Sequence, residues 1–454
     1  MPKQEPHARF EYRTILNHPM KQRRMNTKQS NLEHTTRSAK FAGAILLGLA
    51  GLSAGCREPN PLASMHEPNY LFAHSMEVSQ ETEMAQPLSD TKDLLAEWFG
   101  TTNAPKIPPA LKEGDYEDLF SETNLQLAAG TSDKPGLYVL QQCASCHGLS
   151  GQGRGPVAAS QDPYPRDFRA GIFKFKTTPR GAKPLKEDLA RTLKEGLSGT
   201  QMPVFDKLSD NEIQALVDYV IFLSIRGEFE RKLLQTAAID SPGERLYDAK
   251  GDDKTREEQK STAEELLTQI ADRWVQAEDS KEDFPLPSFP LVGSETEENK
   301  AELLASIAKG KELFLQESAA CSKCHGVQAD GNGGQLPDYD DWTKEWTTKI
   351  GLQPTETDAL LPLMARGGMK PQTLKPRNIV EGHLRGGRNP IDIYRRIRYG
   401  IAGSPMPAAS IAQSSEEPGL KEDDLWHLVN YVLSIAQVPP KPVPSTDVGG
   451  GLAL

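Results

Sequence analysis

Residues 143–147 read Cys-Ala-Ser-Cys-His, and residues 321–325 read Cys-Ser-Lys-Cys-His. Two soft thiols spaced by two residues, with an imidazole directly after, occur twice in one chain. A glycine-rich run follows each time, HGLSGQGRG from His147 and HGVQADGNGG from His325. The chain of 454 residues has 5 cysteines, and the two motifs use all but Cys56. No thiol is left for a disulfide framework, so some other chemistry must occupy Cys143, Cys146, Cys321 and Cys324. The length allows two or three packed domains.

Two uses of such motifs compete. A zinc ribbon joins two C-x-x-C pairs about 15–20 residues apart. Here Cys146 and Cys321 are much further apart, and each pair has its own histidine. Covalent haem explains the pattern. Both thiols add to the vinyl groups of one porphyrin, and the following histidine becomes an axial iron ligand. Two haem c groups are therefore expected, with His147 and His325 as proximal ligands.

An iron closed for electron transfer needs a sixth ligand, and a soft neutral thioether favours Fe(II). Residues 196–203, GLSGTQMP, and 400–407, GIAGSPMP, both read G-x-x-G-[ST]-x-M-P. Met202 and Met406 are the expected ligands. They lie in Gly/Pro loops at matching places, whereas a methionine in an apolar helical stripe is core filler. Met364 and Met369 compete near the second site only. Of the other histidines past the leader, His427 lies in an apolar helix and reads as structural. His383 falls in EGHLRGG, where the first repeat has Ile172, and His66 and His74 fall in a polar stretch.

The repeat extends beyond the motifs. PRDFRAG at 165–171 matches PRNIVEG at 376–382, DLARTLKEG at 188–196 matches DIYRRIRYG at 392–400, and LVDYV at 216–220 matches LVNYV at 428–432. The last pair has helical periodicity, and Ser209 with Glu212 forms a capping box at the start of the first. This order resembles class I cytochrome c, and YPRDFRAGIFKFKTT, DYDDWTKEW and NPIDIYRRI resemble bacterial dihaem cytochromes of two-domain plan. The resemblance implies an all-α fold of two tandem haem domains and one-electron transfer in a membrane-bound respiratory chain. The expected layout is a leader (1–55), an acidic tether (56–118), haem domain 1 (119–235), and a charged, Pro-rich linker with an amphipathic helix (236–298). Haem domain 2 (299–438) and a disordered tail (439–454) follow. Arg166 and Arg377 are candidates for pairing with a haem propionate, since a guanidinium suits a carboxylate; the alternative is an exposed or turn-stabilising arginine. The second repeat has a longer span from CxxCH to Met-Pro loop, holding Trp342 and Trp346, which read as core packing.

Residues 41–55, FAGAILLGLAGLSAG, are uncharged, follow a basic stretch and end at Cys56. This fits an export signal with a lipoprotein-type cleavage site, Cys56 carrying the lipid, although Ser53 stands where leucine is more usual. Met25 is the more usual start for such a leader. The formal net charge of −11, more acidic without the leader, excludes a phosphate-neutralising nucleic-acid binder. The expectation is a lipid-anchored, periplasm-facing electron carrier, not an enzyme. Its partners would be redox proteins: an oxidase, a dehydrogenase or soluble carriers. The rivals are a dihaem peroxidase, which needs one open iron, a haem-based sensor, for which no output domain is found, and a fixed subunit of a larger oxidoreductase.

Overall fold

The CxxCH motifs form single helical turns closed at both ends by left-handed backbone. The computed structural model describes residues 65–438, apart from 132, 318, 335–337, 340 and 413–418. The expectations for the leader, Cys56 and the tail lie outside the described residues, as does the side chain of Trp342. The helices are α1 (Tyr70–Gln80), α2 (Ala85–Phe99), α3 (Glu122–Ala129), α4 (Leu137–Leu140), α5 (Cys143–His147), α6 (Lys186–Glu195) and α7 (Asp210–Ile239). Then come α8 (Asp253–Val275), α9 (Lys300–Leu315), α10 (Cys321–His325), α11 (Asp341–Glu345), α12 (Thr357–Ala365), α13 (Pro390–Tyr399) and α14 (Glu422–Ile435). Strands among the described residues are two ribbons of two-residue strands, so the fold is all-α. Among these residues no helix is long and apolar enough to cross a membrane.

In the first repeat α7 is the spine. Its capping box forms as the sequence predicts: Ser209 Oγ accepts from Glu212 N at 3.4 Å, and Glu212 Oε2 accepts from Ser209 N at 2.9 Å. Tyr138 on α4 meets Tyr219 on α7 edge to face, 5.1 Å between centroids. In the second repeat Phe314 on α9 meets Tyr431 on α14 at 5.3 Å, the equivalent pair. There α9 crosses α14 so closely that a Cβ on Gly310 would lie 2.0 Å from His427 O. The first repeat has no such glycine, and its N-terminal helix is broken into α3 and α4.

Three expectations are corrected. The tether is folded from residue 65 onward: α1 and α2 pack on α7, and Leu94, Leu95, Trp98 and Phe99 join the first domain's core. His66, placed in that tether, is 4 % exposed. The amphipathic helix of the linker also belongs to domain 1. Ala263, Leu267, Ile270 and Trp274 on α8 are core residues, and Glu228 of α7 accepts from Trp274 Nε1 and Arg273 Nη2, both at 3.0 Å, and from Lys183. Finally, the Pro-rich segment 284–293, assigned to the linker, packs on domain 2. It covers α14, with Pro285 O accepting from Trp426 Nε1 at 3.1 Å and Pro290 O from Asn430 Nδ2 at 3.0 Å. The first two share a physical cause. At 30 residues α7 is buried on several sides, so it needs covering helices.

The two repeats lie in one compact unit. The second repeat's insertion reaches back across the first: Trp346, Leu360 and Leu363 cluster with Leu71 of α1, and Arg231 pairs with Glu345, Nη1 to Oε2 at 2.7 Å. Trp346 is therefore core, as expected. His427 also has the structural role expected of it, with Nδ1 2.8 Å from Ser306 Oγ and its ring stacked on Phe289 at 4.2 Å.

Candidate functional site

One helical turn places residues i, i+3 and i+4 on the same face. In α5 these are Cys143, Cys146 and His147, and in α10 they are Cys321, Cys324 and His325. Each turn is entered through a left-handed residue, Gln142 at φ 59° and Ala320 at φ 54°, and left through Gly148 and Gly326 at φ 74° and 77°. Thiols and imidazole thus present one face without the turn growing into a longer helix.

The glycine-rich loops then fold back under the histidines. Gly153 N donates to His147 O at 2.8 Å, and Gly331 N to His325 O at 2.8 Å. The PRxx segments dock on these loops through Phe168 N to Gly151 O and Ile379 N to Ala329 O, both 2.8 Å. The docking sets the tautomer of both histidines. His147 Nδ1 is 2.9 Å from Arg166 O, and His325 Nδ1 is 2.9 Å from Arg377 O. A carbonyl only accepts, so Nδ1 carries the proton and Nε2 keeps its lone pair. Burial lowers the pKa of both rings, only partly opposed by these carbonyls, so both stay neutral and ligand-competent. Phe168 stacks on His147 at 4.6 Å and 20°, which fixes the ring plane.

The methionine loops close in parallel. Leu197 N donates to Met202 O and Ile401 N to Met406 O, both at 3.1 Å. Thr200 Oγ1 donates to Leu197 O at 2.7 Å, and Ser404 Oγ to Ile401 O at 2.9 Å, which explains the [ST] of the shared pattern. In domain 1 the structure brings Cys143, Cys146, His147, Arg166 and Met202 together around one cavity of about 240 Å³ with mostly apolar walls. In domain 2 the backbone bonds described above recur around His325, Arg377 and Met406. Met364 and Met369 lie on and just after α12, in the insertion, and not in a loop closed this way.

Among the cavity residues that sequence reasoning missed is Arg385, which comes from the second domain. Its Nε is buried without a hydrogen-bond partner, and burial together with the charge of Arg377 pulls its pKa down to about 10. The signal was present in EGHLRGG, but the matching stretch of the first repeat, AGIFKFK at 170–176, does not repeat the arginine. Arg166 lines the same cavity, while Arg377 is half-buried with Glu381 and Asp162 as its nearest opposite charges.

These residues suit haem better than zinc or thiol catalysis. Burial pushes the Cys143 thiol up to about 12 and the Cys321 thiol up to about 11, the reverse of an activated nucleophile. Among the described residues no three Cys, His, Asp or Glu side chains converge as a metal cluster. An apolar slot with two thiols on one wall, a neutral imidazole, a thioether and a buried unpaired guanidinium nitrogen fits a flat porphyrin with acidic substituents.

No curated protein matches the chain. A solved structure, the Kuenenia stuttgartiensis reducing HAO-like protein complex, is similar at 24% identity over 70% of this chain and 97% of that one, with a TM-score of 0.40. A likeness that loose bears on neither fold nor function. The duplicated frame of CxxCH turn, glycine loop, Met-Pro loop and final helix has a firmer counterpart: residues 135–223 and 307–436 match the family model for cytochrome c, so the chain carries cytochrome c domains in both repeats, which implies covalently bound haem and electron transfer.

Proposed function

We propose that the protein is a dihaem electron carrier, each domain holding one haem c with His/Met ligation. His147 with Met202 would serve the first and His325 with Met406 the second. The observation that carries this reading is the doubled frame: Nδ1 to a backbone carbonyl at 2.9 Å in both repeats, and a Met-Pro loop closed at 3.1 Å in both. Haem, when bound, supplies a one-electron iron couple. The chain's part is to fix the tautomer of each histidine, exclude water with apolar walls, and offer a neutral thioether that favours the reduced state. No acid–base group is required, and two equally built methionine loops favour a carrier over a peroxidase, which needs one open iron.

Arg166 and Arg377 are proposed partners for haem propionates. Exported placement, a lipid on Cys56 and docking to redox proteins of a respiratory chain complete the reading. The leader's uncharged run and the LSAGC boundary support them.

Mass spectrometry of the denatured protein should show two covalent haems. Both ferric haems should be low-spin with a Met-to-iron charge-transfer band at the red edge. Met202→Ala and Met406→Ala should each remove half of that band and open one iron to carbon monoxide. A native protein with a high-spin haem and rapid peroxide turnover would refute the carrier.

A further inference from the structure

The two methionine loops face the opposite repeat. From domain 1, Arg180 reaches the second loop: Nη1 donates to Met406 O at 2.7 Å and Nη2 to Ser404 O at 2.9 Å. Met406 O also accepts from Ile401 N, so both its lone pairs are used, one from within the loop and one from the other domain. From domain 2, Arg385 Nη2 donates to Gly199 O at 2.7 Å, and His383 Nδ1 lies 2.8 Å from Ser198 Oγ, both on the Met202 loop. The second glycine of each loop is where the neighbour presses closest. A Cβ on Gly199, at φ +68°, would lie 2.9 Å from His383, and one on Gly403, at φ +65°, would lie 3.3 Å from Ile172. His383 and Ile172 occupy matching places in the two repeats. Each domain therefore covers the other's loop with the same piece of its fold.

We infer that each repeat positions the axial-methionine loop of the other, with Arg180 the positioning residue for Met406 and the pair His383 and Arg385 the positioning residues for Met202. This rests on the ligand reading proposed above. A Gly/Pro loop closed by bonds within itself can still shift as a unit, and its long, flexible thioether shifts with it. The guanidinium fork across the two carbonyls around Met406 removes that freedom. The consequence is cooperative: the second iron's ligand depends on domain 1 staying docked, and the first iron's on domain 2.

The test uses the full haem-loaded chain, with two haems per chain and parent-like far-UV circular dichroism as folding controls. Arg180 is exposed, so its removal leaves the core intact. Arg180→Ala should weaken the charge-transfer band of the second haem, raise its carbon monoxide-reactive fraction at least tenfold and lower its midpoint by about 59 mV per tenfold loss of Fe(II) preference. The first haem should keep its band. Arg180→Lys, which keeps the charge but not the fork, should fall between. The paired variant His383→Ala with Arg385→Ala should transfer the same changes to the first haem. Met406→Ala in the parent identifies which signal belongs to the second haem. A fall in potential with unchanged band and carbon monoxide reactivity would reduce Arg180 to a distant charge and overturn the inference. So would loss at the first haem instead of the second. If Met406→Ala itself leaves the spectrum intact, it is the ligand assignment that fails, and the positioning role falls with it.

Discussion

Glu228 lies mid-way along α7 with its side chain 7% exposed, and it gathers donors from α8 and from the loop before α6. Lys183, also 7% exposed, pairs with it, as do Trp274 Nε1 and Arg273 Nη2 at 3.0 Å. Arg273 is 56% exposed and contributes little. The magnitude therefore comes from Lys183 and Trp274. Glu228→Ala strands a buried ammonium and an indole N–H, and breaking one side of a buried pair costs about 3–5 kcal/mol. Much of that should be read at α8, whose C-terminal turn Trp274 holds. Hydrogen exchange of α8 amides at pH 7 should run about 10²–10³-fold faster than in the parent. A pH series sharpens the test. Burial already lowers Lys183 from its ordinary 10.5, opposed by Glu228, and removal of Glu228 lowers it further. The unfolded variant then binds more protons than the folded one below pH 10.5, so its stability rises with pH. The deficit against the parent should shrink from pH 7 to pH 9. Exchange at the parent's rate, or a deficit that grows with pH, would refute the reasoning.

Two further predictions concern the N-terminal part of the chain. His66 is buried with both ring nitrogens unpartnered, and burial, then the charge of Arg226, holds its pKa well below 6.5. Its stability contribution is full above pH 6.5 and lost as pH falls toward the lowered native value, so protease protection of α1 should drop between pH 7.5 and 5 in the parent and much less in His66→Phe; equal acid sensitivity in both would exclude His66 as the cause. Cys56→Ser should release the protein from the membrane fraction or leave its leader uncleaved, and a variant processed and membrane-bound like the parent would rule out the lipid.

What the sequence disclosed is what short-range geometry dictates. The C-x-x-C-H spacing fits one helical turn and nothing longer, so its face could be read before any fold was known. The Ser209–Glu212 box and the G-x-x-G-[ST]-x-M-P loops are equally local, and their hydrogen bonds form between residues a few positions apart. The covering layer was harder to read because α2 and α8 are acidic outside and apolar along one side. By composition they pass for tether and linker. The missing signal was on α7. Its sequence past LVDYV, IFLSIRGEFERKLL at 221–234, buries Phe222, Leu223, Phe229, Leu233 and Leu234, which point in different directions around the helix. A helix apolar on several sides demands several neighbours, and the apolar stripes of α2 and α8 were available to supply them.

The interface between the repeats explains where the duplicated sequence has diverged. Matching halves that meet face to face present equivalent patches to each other, and traces of that remain. Arg191 of α6 pairs with Asp392 of α13 at 2.6 Å, and Asp392 aligns with Asp188, which lies 3.8 Å from the same arginine. The residues that grip the methionine loops are not equivalent. Arg180 follows a segment peculiar to the first repeat, and His383 stands where the first repeat has Ile172. The first loop is held through Ser198 and Gly199, short of its methionine, whereas the second is held on the carbonyl of Met406 itself. On the ligand reading proposed above, identical thioethers held in unequal ways would give irons of unequal potential, because ligand fixation and local charge both shift the Fe(II)/Fe(III) balance. A removable positive fork sits on the second loop, and a buried unpaired guanidinium nitrogen lies in the cavity of the first. Divergence at the contact face, with the CxxCH frames left alike, is thus the structural means by which one repeated fold would yield two distinguishable redox centres.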